Sequence, residues 1–119
     1  MEITINSVSA TFRVTDVNGN PVPNLIVSPK YADDVVHDIV AGGTVILGVS
    51  VQNANNGPFT VSDIVPRLQS GPAILSEASA LFDVPVGTAD GEILCRARAD
   101  ARLGTVNSVY ILDLVVEAA

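Results

Sequence analysis

Polar and apolar residues alternate with a period of two along several stretches of the chain. In residues 8–15, Val8, Ala10, Phe12 and Val14 fall on one side and Ser9, Thr11, Arg13 and Thr15 on the other. That period belongs to a strand with one face buried and one in water. Residues 44–52 repeat it, with Val45, Leu47, Val49 and Val51 set against Thr44, Ile46, Gly48, Ser50 and Gln52. The longest case sets Ile93, Cys95, Ala97, Ala99 and Ala101 against Leu94, Arg96, Arg98, Asp100 and Arg102. Upstream, Ile3 and Ile5 are out of phase with Val8. This predicts a bulge, or a passage between sheets, near Asn6 and Ser7.

Turn chemistry separates these runs. Asp16-Val17-Asn18-Gly19-Asn20-Pro21 reads as a turn, because Asn-Gly accepts positive φ and proline stops ladder pairing. A strand follows at residues 24–28, with Leu25 and Val27 on one side. Residues 29–43 are the least regular, and 32–39 read as a short helical turn or a short edge strand. Residues 53–58 form a polar loop, and a strand at 59–65 is expected to end at Pro66. Ala78, Ala80, Phe82, Val84 and Val86 then alternate, and Pro85 marks an edge strand or a strand end. Residues 87–91 read as a turn. In the last strand, residues 108–116, Tyr110, Leu112, Leu114 and Val116 line one face. Val109, Ile111 and Val115 line the other, broken by Asp113. A strand apolar on both sides is either central or covered from outside.

Short strands with turn signals every ten or so residues point to a sandwich or barrel. No amphipathic helix separates them, which excludes a βαβ layout. Two segments also carry a resemblance. The run Val14-Thr15-Asp16-Val17-Asn18-Gly19-Asn20-Pro21-Val22-Pro23 resembles the first hairpin of bacterial Ig-like domains of the intimin/invasin type. The run from Gly43 to Gly57, with Val49, Val51, Asn53 and Asn56, is similar to a strand of CARDB-type adhesion-related domains. The resemblance implies an immunoglobulin-like fold, and such folds serve many functions. The expectation is an all-β, immunoglobulin-like antiparallel β-sandwich of seven or eight strands, in one domain over residues 1–119.

Composition narrows the partners. The chain has 13 acidic and 6 basic residues and a net charge of −7, so phosphate backbones and anionic membrane surfaces are expected to repel it. Nearly half of its residues are hydrophobic and only 16% are charged, which is charge-poor for a small domain. A single cysteine, Cys95, rules out an intrachain disulfide. The N-terminal residues show no secretory pattern.

Candidate chemistry is sparse. Asp33, Asp34, His37 and Asp38 form the densest titratable cluster. On a helical turn, Asp34 and Asp38 would share a face with His37 beside them, the donor set of a divalent metal. The competing reading, which is preferred, is a solvated acidic loop without metal. Asp16, Asn18 and Asn20 mimic the start of a calcium loop, but Pro21 and Val27 stand where its glycine and glutamate belong. Cys95 and His37 could be paired as thiol and imidazole, but Cys95 falls on an apolar face, where a thiol is a small hydrophobe. No other catalytic motif is present, and no catalytic residue, cofactor or small-molecule substrate is expected. Arg96, Arg98 and Arg102 gather half the basic residues on one strand face. They are read either as a contact for an acidic partner, including another copy's Asp33 to Asp38 loop, or as a solvated face.

The sequence therefore suggests a non-enzymatic structural subunit that packs into a larger assembly. A viral capsid or decoration (cement) protein, located in the virion, is the leading expectation. The alternative is an Ig-like spacer or adhesion module of a prokaryotic surface or filament protein. The expected partners are other protein subunits, among them further copies of itself and a capsid or filament protein. The expected interface comprises Arg96, Arg98 and Arg102 together with Val109, Ile111 and Val115.

Overall fold

The computed structural model describes residues 5–31, 36–99 and 107–119. Nine strands are found among them: β1 (Ile5–Thr15), β2 (Leu25–Pro29), β3 (Val36–Val40), β4 (Thr44–Asn53), β5 (Phe59–Ser70), β6 (Leu75–Ser79), β7 (Phe82–Val84), β8 (Gly87–Ala97) and β9 (Asn107–Ala118). They form a five-stranded sheet in the order β3-β1-β9-β5-β7 and a four-stranded sheet in the order β2-β4-β8-β6. The inward residues of both sheets meet in one core. Leu112, Leu114, Val61 and Val84 come from the first sheet and Val49, Val51 and Ile93 from the second, all fully buried. The expected all-β sandwich is what the structure shows, with nine strands among the described residues in place of seven or eight.

Several details differ from the expectation. One neighbouring pair is parallel, β1 with β9. The run at 78–86 is two strands, because the chain leaves β6 in the four-stranded sheet and enters β7 in the other. Both are edge strands, and Pro85 follows the end of β7, as expected. Residues 36–40 take the edge-strand alternative, opposite the first residues of β1. No register shift interrupts β1, so the expected bulge near Asn6 and Ser7 is absent and β1 stays in one sheet. Residues 87–91 are strand, paired with β4 from Asn53 to Val49. Gly91 serves packing there: a Cβ on it would run into the Phe82 ring.

Pro66 does not end β5, which continues to Ser70 opposite Leu112, Ile111, Tyr110 and Val109 of β9. The missing N–H is tolerated because β7 pairs with β5 only at Phe59, Thr60 and Val61. Beyond that point β5 is an edge, where proline is admitted. The Asp16 turn forms as its chemistry requires. Oδ1 of Asp16 accepts the amides of Asn18 and Asn20, each at 2.9 Å, and Gly19 takes φ +84°. The carboxylate is thus engaged by its own turn, which accounts for the sequence without calcium.

Candidate interaction surfaces

β9 lies between β1 and β5 at the centre of its sheet, and its two apolar faces are buried unequally. Tyr110, Leu112, Leu114 and Val116 face the core and are buried, whereas Val109, Ile111 and Val115 face outward and are only half-buried. Among them Asp113 faces outward yet is 1% exposed. Its cover is a pair of arginines. Arg13, its register partner on β1, donates from Nε at 2.8 Å to Oδ1 and from Nη2 at 2.9 Å to Oδ2. Arg67 on β5 donates from Nε to Oδ2. Both arginine side chains are about half exposed. Burial pushes the Asp113 carboxyl up, but the two guanidinium groups outweigh it and hold the group below the usual carboxylate range.

This clamp was not legible as a site in the sequence. The only local signal was an aspartate interrupting an apolar strand. Its partners are 100 and 46 residues away, and the register that unites them is a property of the whole sheet.

The outer face of the four-stranded sheet is the second surface. Ile46 and Leu94 are direct cross-strand neighbours and are 57% and 36% exposed. One row along, Arg96 stands between Thr44 and Glu77. In the other direction lies a depression of about 280 Å³ lined by Lys30, Tyr31, Gly48, Asp90, Gly91 and Glu92. Lys30 Nζ is 2.9 Å from Asp90 Oδ2 and 5.5 Å from the centre of the Tyr31 ring. The expected arginine row is shorter than the alternation implied. β8 ends at Ala97, Arg96 and Arg98 are exposed, and Arg102 lies outside the described residues.

The metal reading loses its geometric premise. His37 and Asp38 lie in strand β3 and not on a helical turn, and Asp33 and Asp34 lie outside the described residues. The only cysteine, Cys95, lines a cavity of about 10 Å³ with Val8, Ala10, Ile39, Val45, Leu47, Leu75 and Leu112, all apolar. Burial pushes its thiol up to about 11, far from a nucleophile's range. Cys95 is therefore expected to resist an aromatic disulfide reagent at pH 8 in the native protein and to react fully in denaturant. Rapid native labelling would show that the core opens readily.

Several sheet edges are blunted. β7 has three residues, β2 ends in Pro29, β6 carries a register shift, and the open part of β5 carries Pro66 and a further shift. Such devices oppose strand-to-strand association along those strands, whereas the edge strand β3 carries neither a proline nor a register shift. The chain matches no protein-family model, and no curated protein matches it in sequence.

Proposed function

We propose that this chain is a non-enzymatic structural subunit that packs against other protein subunits in a larger assembly, a viral capsid or decoration protein of the virion being the leading reading. The observation that carries it is the apolar surface left outside the core. Leu81 is 80% exposed and Ile26 62%, Ile46 and Leu94 sit side by side, and Val109, Ile111 and Val115 line the outside of the central strand. Small monomers scatter such residues singly, and grouped ones mark interfaces. An acidic chain disfavours nucleic acid and anionic membranes as the partners that cover them. An immunoglobulin-like relationship stays part of the proposal, resting on the two resembling segments and the sandwich.

A second reading, a spacer or adhesion module of a surface or filament protein, is favoured by one feature. Because β1 and β9 run parallel, the first described residue and the end of β9 lie at opposite ends of the strands, which suits domains strung in tandem. Light scattering across a wide range of protein concentration tests the two. Concentration-dependent growth to a defined particle is expected for the assembly subunit. A monomer at every concentration would remove that reading and leave the spacer.

A further inference from the structure

We propose that the outer face of the five-stranded sheet is the seat of a second copy of this chain, in a two-fold symmetric pair. This rests on the assembly reading and adds the symmetry of the pair and the charges that set it.

The face carries a charge pattern that is self-complementary. Arg67 stands opposite Ile111 of β9, and Arg13 opposite Asp113, so both guanidinium groups gather over the middle of β9. Asp63 stands opposite Val115, and Glu117 opposite Thr60. Both acids are exposed and lie about four residues further along β9, roughly 13 Å at strand rise. A two-fold axis in the plane of the face, crossing the strands between these rows, brings the guanidinium groups of each copy to the acids of the other. Each contact then occurs twice, as a symmetric pair requires.

Between the charges the face is apolar. Val65, Val109, Ile111 and Val115 are half-buried by their own neighbours and complete their burial under a second copy. The arginines are prepared for docking. Asp113 already holds them, so little side-chain freedom remains to be lost on association. Arg67 gives only its Nε to Asp113, leaving its terminal nitrogens as donors for a partner carboxylate. Arginine at the centre of an interface is a common source of binding energy.

Size favours a sheet face over an end, and charge favours this face. The molecule measures 54 × 27 × 19 Å, so a broad face exceeds the roughly 800 Å² per partner of a stable interface, whereas an end does not. Two copies carrying −7 each repel overall, and this face sets opposite charges against each other at the contact.

Sedimentation of the intact protein with an Asp63→Lys/Glu117→Lys variant tests the proposal. Both residues are exposed and outside the arginine clamp; because Asp63 Oδ1 accepts the Ile64 amide at 2.8 Å, a cooperative unfolding transition close to the wild type's confirms that the variant folds. The wild type is expected to form a dimer at low salt that weakens as salt rises. The variant should weaken it at least tenfold, and Asp63→Asn/Glu117→Gln by a smaller factor. An Ile46→Asp/Leu94→Lys variant, on the opposite face, should pair as the wild type does. If association survives Asp63→Lys/Glu117→Lys, or is lost in Ile46→Asp/Leu94→Lys instead, the face is wrong and the assembly reading stands. A wild type that never associates overturns both.

Discussion

Replacing Gly71 by alanine is expected to cost about 3 kcal/mol or more, read as a fall in the urea midpoint. Two causes add. Gly71 has φ +84°, and a left-handed conformation costs a residue with a Cβ about 1–2 kcal/mol. The added Cβ would also run into the carbonyl oxygen of Asn107 and lie 2.9 Å from the Cα of Ser108. These are backbone atoms of the central strand, so no side chain can swing away. Forced accommodation of that kind adds about 1–3 kcal/mol. The segment after Gly71 is equally unable to retreat. Ser108 Oγ donates to the Pro72 carbonyl at 2.6 Å, and the Ile74 and Leu75 amides donate to Tyr110 Oη at 3.0 and 3.3 Å. Gly19 supplies the control. It has the same φ, but nothing lies within 4 Å of its missing Cβ, so Gly19→Ala should cost only the conformational part, about 1 kcal/mol. Equal losses in the two variants would show that the Gly71 contact yields.

These contacts mark where the sequence was readable and where it was not. Strict alternation placed Val8, Ala10 and Val14, then Leu47, Val49 and Val51, then Ile93, Cys95 and Ala97 in the core, because burial of one strand face leaves a period of two in the chain. The turn at Asp16 was readable because its hydrogen bonds are local. Strand ends were not. Pro66 suggests a stop to any local reading, but whether proline stops a strand depends on whether a neighbour needs its N–H, and sheet order decides that. The same holds for residues 87–91, whose glycines look like a turn and serve as strand against β4. Buried polar groups were the least visible. Asn53 looked like the first residue of a polar loop. It is buried, donates from Nδ2 to the carbonyls of Gly57 and Val84, and accepts the Asn55 amide at Oδ1. One side chain thus joins loop 54–58 to the end of β7 in the other sheet, a link no spacing could announce.

Asp113 gives the second large effect, and its sign reverses with the clamp. In the wild type the folded carboxyl lies below its unfolded value of about 3.9. Its contribution is therefore complete above that value and is lost as pH falls through the folded value. Urea denaturation should show wild-type stability declining with acid in that window, with the Asp113→Asn variant lacking this part of the decline. At neutral pH, Asp113→Ala should cost about 2 kcal/mol. That is less than the roughly 3–5 kcal/mol of a fully buried pair, because the arginines left behind are half exposed and regain water. An Arg13→Met/Arg67→Met variant inverts the pattern. It keeps apolar cover over Asp113 and removes both counter-charges, so burial alone acts and the folded carboxyl rises above its unfolded value. This variant should be least stable at neutral pH and should gain stability as pH falls toward 4, where the wild type is level or losing. Parallel pH profiles for the two proteins would mean that water, and not the guanidinium pair, satisfies Asp113. Opposite slopes would establish that the outer face of β9 is held by a charge cluster assembled from three strands.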